Sequence, residues 1–132
     1  DMAVHKFTKR ILEGQEIELY NYGNNLRDFT YIDDIVAGVI AIANSLKSRS
    51  IYNIGNSRMI KVSEFVGILE SLIGITANKK LVGPAAGDVC ETWADIGMIK
   101  HDFGFVPSTS IQEGLTSFLD WYYYYSRLAG GK

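Results

Sequence analysis

Apolar residues in the first part of the chain recur at helical spacing. Val4, Phe7, Ile11 and Leu12 share one side while Lys6, Lys9 and Arg10 can face water. This rhythm predicts an amphipathic helix over residues 2–13, ended by Gly14. The period then changes to two, with Ile17 and Leu19 alternating against Glu16, Glu18 and Tyr20, which predicts a strand. An Asn/Gly-rich turn at 21–25 leads into a second alternating strand, Arg27 to Ile32. Asp33 or Asp34 can cap the next helix, which is apolar around much of its circumference from Ile35 to residue 46 and so needs cover on more than one side.

Ile51 to Ile54 before Gly55 predicts a buried strand, and Ser63 can cap a helix carrying Phe65, Val66, Leu69, Leu72 and Ile73 up to Gly74. Lys79 to Val82 predicts a short strand, 83–87 a loop, and Asp95 a cap for a short helix ending near Gly104. Ser110 and Glu113 have capping-box spacing ahead of Ile111, Leu115, Phe118, Leu119, Tyr122 and Tyr125, which recur at three and four and predict a last helix. The tyrosine run 122–125 then alternates between core and outward rings, and the end at Ala129-Gly130-Gly131-Lys132 predicts a flexible tail over residues 127–132. The pattern describes a small mixed α/β unit of short strands and about five helices.

Composition sets limits on this picture. With 132 residues, 47% of them hydrophobic, the chain suffices for a single compact domain. Its net charge of -2 and scattered ions offer no basic stripe for nucleic acid. No apolar run reaches the roughly 18 residues that span a bilayer. The single cysteine, Cys90, fits a reducing cytoplasm and has no adjacent base, so it reads as an inert, partly buried thiol rather than a nucleophile. His5 and His101 lie far apart and do not suggest a metal site.

Two parts of a nicotinamide enzyme are missing from the sequence. No two glycines are spaced as Gly-x-Gly or Gly-x-x-Gly, the turn that lets backbone approach a pyrophosphate. None of the eight tyrosines has a lysine four residues later, the pairing that lowers a phenol's pKa for proton transfer. Catalytic residues are therefore expected to be none.

The stretch Arg27 to Asp34 joins a guanidinium, an aromatic strand and an acid pair. The arginine can clamp two phosphate oxygens, or simply pair with Asp28 or another surface acid. Asp33 and Asp34 read as helix caps before catalytic acids.

The string RDFTYIDDIVAG at 27–38 resembles the signature of extended short-chain dehydrogenase/reductase enzymes that act on nucleotide sugars, the NAD-dependent epimerases and dehydratases. Four more pieces agree in order: residues 1–23, YNIGNS at 52–57, GDVCETWADI at 87–96 and residues 102–122. Together they cover nearly the whole chain, and the likeness is greatest to the bacterial UDP-glucuronate 4-epimerase type. The resemblance implies the carboxyl-terminal, substrate-binding part of a Rossmann-type epimerase, a piece of a longer protein whose NAD-binding domain precedes it.

It also implies roles. Arg27 matches the arginine on the diphosphate, and Tyr20 an aromatic beside the uracil. Phe29, Val62 and Thr92 match pocket-lining positions, and Asp88 matches the acid that hydrogen-bonds the ribose. Taken alone, Tyr20, Phe29 and Val62 could equally be core, and Asp88 a turn residue. One departure is Ala85, where relatives often carry Arg or Gln as a further phosphate contact.

The implied partners are a UDP-sugar and the missing NAD-holding domain, with NAD bound by the intact enzyme rather than by this chain. Left uncovered, the apolar 35–46 helix and 51–54 strand would drive association into oligomers. The alternatives are a stand-alone binding or oligomerisation module, or a piece of a related 4,6-dehydratase or decarboxylase.

Overall fold

A computed structural model describes residues 3–45 and 51–130. Helix α1 (Ala3–Leu12) leads through Gly14, in the left-handed region, to strand β1 (Glu16–Leu19). A tight 3-10 turn (Tyr20–Gly23) precedes β2 (Leu26–Asp28), followed by α2 (Ile32–Ala43), β3 (Met59–Lys61), α3 (Val62–Ile73), β4 (Asn78–Leu81), α4 (Gly97–Phe103) and α5 (Ile111–Gly130). The protein is thus a small mixed α/β unit, as its alternating periods predict.

β1 pairs in parallel with β4, with Ile17 opposite Lys79 and Leu19 opposite Leu81. The period of two places Ile17 and Leu19 in the core while the outer row pairs Glu18 with Lys80 at 2.9 Å. β2 pairs antiparallel with β3, and β3 runs directly into α3. The core gathers Ile11 from α1, Ile17 and Leu19 from β1, Phe65, Val66 and Leu69 from α3, Ala77, and Leu115 and Leu119 from α5. Burying each large side chain of this set contributes on the order of 1.5–3 kcal/mol.

Several local expectations change. The second strand stops at Asp28 instead of Ile32, because Phe29 turns inward to stack on Phe65 at 4.2 Å between ring centroids. Residues 51–54 form no strand and Ile51 is 90% exposed; a strand needs a paired neighbour, and none of the described residues supplies one. Ile54 instead packs on α2, where a Cβ on Gly38 would lie 2.8 Å from it. Helix α2 begins at Ile32 with Tyr31 as its cap residue, so neither Asp33 nor Asp34 caps it. The 35–46 helix was expected to run on past Ala43, where α2 ends; residues 46–50 lie outside the described residues.

Ser63 likewise lies within α3, whose cap position falls on Lys61 because no loop separates strand from helix. Asp95 does receive the Gly97 N–H at 2.9 Å, and α4 ends at Gly104 in the left-handed region. The capping box of α5 is reciprocal: Ser110 N–H donates to Glu113 at 2.8 Å and Glu113 N–H to Ser110 Oγ at 3.2 Å. α5 continues through Gly130, past the point where a tail was expected to start, and residues 131–132 lie outside the described residues. Cys90 is exposed rather than partly buried.

Candidate functional site

The pocket is built around β2. Its Leu26 N–H donates to Cys90 O at 2.9 Å, and Thr92 N–H donates to Leu26 O at 3.1 Å. Segment 90–92 therefore lies beside β2 on the edge that β3 leaves open, which carries Asp88 over Arg27. Arg27 Nη2 donates to Asp88 Oδ1 at 2.7 Å, and Nη1 to the carbonyl of Leu26 at 2.8 Å. The acid that Arg27 pairs with is thus Asp88 and not its neighbour Asp28.

Asp28 does different work. Its carboxylate accepts the N–H groups of Asn56 at 3.2 Å and of Ser57 and Ala94 at 3.0 Å each, and its own N–H donates to Thr92 Oγ1 at 3.4 Å. It knits the 55–57 and 92–94 loops to the strand. Gly55 is needed there, since a Cβ would stand 2.5 Å from that of Ala94.

A cavity of about 280 Å³ results, near the lower end of ligand-pocket sizes, and all six residues singled out from the sequence line it: Tyr20, Arg27, Phe29, Val62, Asp88 and Thr92. Tyr20 leads off the 3-10 turn rather than ending the strand, and its ring is partly exposed at the rim. Val62 starts α3, and Phe29 stacks on buried Phe65. Glu18, also on the wall, is held below the usual carboxylate range by the hydrogen bond and charge of Lys80, which offsets its repulsion of an anion. Ala85 brings no charge; its carbonyl accepts the Asp88 N–H at 3.2 Å and shapes the turn instead.

These elements give an apolar shelf for a ring, a guanidinium with N–H donors beyond its two named bonds, and a carboxylate able to accept hydroxyls. The model of the NAD dependent epimerase/dehydratase family matches residues 1–55. Protein CapI of Staphylococcus aureus is 38% identical over 95% of this chain and 43% of its own length. UDP-glucuronate 4-epimerase 6 of Arabidopsis thaliana is 38% identical over 92% of this chain and 30% of its own. Among solved structures, the UDP-glucuronic acid 4-epimerase of Bacillus cereus, in complex with UDP-glucuronic acid and NAD, superposes with a TM-score of 0.81 at 32% identity, over 87% of this chain and 37% of that one. The chain belongs to the NAD-dependent epimerase/dehydratase family. It spans less than half the length of each of these relatives.

For a member of this family, NAD is the cofactor to test against the residues present. Among the described residues the junction from β2 to α2 passes through Phe29, Thr30 and Tyr31, and that from β3 to α3 is direct; neither contains a glycine. Neither fits a dinucleotide pyrophosphate, which needs a close approach of bare backbone. No group of three His, Cys, Asp or Glu side chains that could hold a metal ion occurs among the described residues, and no helix is long and apolar enough to cross a membrane.

Sequence reasoning missed Asn25. It is 6% exposed, lines the same cavity, and its Nδ2 donates to Asp88 Oδ2 at 2.7 Å. The only signal was its place in an Asn/Gly turn, which pointed to loop chemistry and not to a buried amide.

Proposed function

We propose that this chain is the carboxyl-terminal, nucleotide-sugar-binding part of an NAD-dependent UDP-sugar 4-epimerase of the UDP-glucuronate type, working in the cytoplasm and, by itself, catalytically incomplete. The observation that carries this reading is the convergence of Tyr20, Arg27, Phe29, Val62, Asp88 and Thr92 on one cavity. In the intact enzyme a C4 hydroxyl is oxidised and the hydride returned to the opposite face of the sugar. NAD supplies that chemistry and is held elsewhere.

This chain's residues bind and orient. Tyr20 and Phe29 take the base, Asp88 the ribose hydroxyls, and Arg27 the diphosphate, so that UDP stays anchored while the hexose turns. The exposed Ile32, Val36, Val39 and Ile40 on α2 form the face that the NAD-binding portion covers, and in its absence the same face drives association of copies.

Calorimetric titration of the chain with UDP tests the reading. Saturable binding is expected, and flat heats at millimolar UDP would overturn it. Turnover of a UDP-sugar with NAD by this chain alone would overturn its catalytic incompleteness.

A further inference from the structure

Asn25 sits beneath the pocket in a directional chain of amides. Asn21 Nδ2 donates to Asn25 Oδ1 at 2.9 Å, and Asn25 Nδ2 donates to Asp88 Oδ2 at 2.7 Å, while Asp88 Oδ1 accepts Arg27 Nη2 at 2.7 Å. A carboxylate only accepts, so the end of Asn25 that faces Asp88 must be its NH₂. Its carbonyl then needs a donor on the other side, and Asn21 is that donor. Asn21 is placed by an uncommon backbone: it and Tyr22 both lie in the left-handed region, at φ 50° and 56°, held by Tyr22 N–H to Val82 O at 2.9 Å and Asn21 N–H to Gly83 O at 3.3 Å. The backbone carbonyl of Asn25 is engaged as well, accepting the Val62 N–H at 2.9 Å where α3 begins.

We infer that Asn25 is a positioning residue: locked by Asn21, its amide holds the Asp88 carboxylate in the orientation that keeps the Arg27 guanidinium aimed into the pocket. The left-handed turn serves the site through this amide, which fixes Asp88 before any ligand arrives. Asp88 thus restrains Arg27 with one oxygen, is itself restrained through the other, and keeps its outward lone pairs for ligand hydroxyls. The inference rests on the nucleotide reading for its consequence in binding, but the restraint on Arg27 exists in the ligand-free chain.

The test is Asn25→Asp, which has the same shape and still accepts from Asn21 but sets a carboxylate against Asp88. Nitrogen NMR of the arginine side chains reads the restraint directly, because a guanidinium held by an ion pair rotates slowly about its Cζ–Nη bonds. In the wild-type chain the Arg27 Nη signals are resolved; in N25D they average. Asn21→Gly, which tolerates φ above zero, removes the lock without moving the buried residue and shifts the Arg27 signals in the same direction as N25D.

UDP affinity falls about tenfold in N25D, the loss expected when one charge-assisted contact is misaligned. Arg27 signals in N25D or in N21G identical to those of the wild type would sink the inference. Flat UDP titrations of the wild-type chain would sink the nucleotide reading instead, and the NMR comparison would still decide the role of Asn25.

Discussion

Asp34 offers the sharpest test of how the fold is held. The sequence suggests a cap for its own helix, but its carboxylate reaches across the molecule to the segment ahead of α5. Oδ1 accepts Ser108 N–H at 3.1 Å and Ser108 Oγ at 3.4 Å, and Oδ2 accepts Thr109 N–H at 3.1 Å. Burial raises the pKa of this carboxyl, but the hydrogen bonds from Ser108 and Thr109 outweigh it and hold the group below its ordinary value. Asp34→Asn keeps the shape, removes the charge, and turns an NH₂ toward one of the two backbone N–H donors. One charge-assisted bond is lost and the other weakened, so at about 1.5–3 kcal/mol for a bond to a charged group the variant should lose about 2–4 kcal/mol.

Urea unfolding at a series of pH values measures this. A depressed folded pKa gives stability that is complete above the unfolded value, about 3.9, and is lost as pH falls through the folded one. The wild-type advantage over D34N should therefore be constant from about pH 5 to 8 and shrink below about pH 4. A difference under about 0.5 kcal/mol at neutral pH, or one that persists on acidification, would refute the assignment.

Other substitutions probe the site and the surface. Arg27→Ala should weaken UDP by about 100-fold, two charge-assisted contacts, while leaving uridine nearly unaffected; equal losses for both ligands in calorimetry would show that Arg27 does not meet phosphate. Thr8 is fully buried with no partner for its Oγ1 among the described residues, so Thr8→Val should raise stability by about 1 kcal/mol, and a lower thermal midpoint would contradict this. Ile40→Glu on the exposed face of α2 should convert associated chain to monomer in light scattering without lowering the thermal midpoint; a wild-type chain already monomeric at high concentration would remove the basis for this expectation.

Elements with many residues at one period were legible from the sequence: α1, α3 and α5 appear where the three-and-four spacing puts them, and β1 buries Ile17 and Leu19 as its alternation requires. The alternation from Arg27 predicts β2 but carries it on to Ile32, while β3 runs for three residues, too few for a period to show. Their pairing is decided by tertiary contacts, with Arg27 opposite Ile60. Within the site, the likeness to a known family picked out the six lining residues. Local chemistry alone left Arg27 with either Asp28 or another acid, because nothing in the sequence announces a partner 61 residues away. Asn25 was illegible for a related reason: a buried amide in an Asn/Gly turn looks like any turn residue until its acceptor, Asp88, is in place.

The three residues of β2 hold the parts of the site together, and alternation explains how. Arg27 turns its side chain into the cavity toward Asp88, while Asp28 gathers the N–H groups of Asn56, Ser57 and Ala94. The backbone of Leu26 meanwhile holds segment 90–92 in place. Because side chains change face at every residue, a slip of one position would exchange the roles of Arg27 and Asp28. So short a ladder specifies its register weakly by itself. Asp28 supplies the missing specification, since its three N–H donors come from two separate loops and can be met together in only one register. The acid therefore fixes where Arg27 points, and the adjacent cation and acid of the motif form a unit in which one residue meets Asp88 at the cavity and the other sets the register.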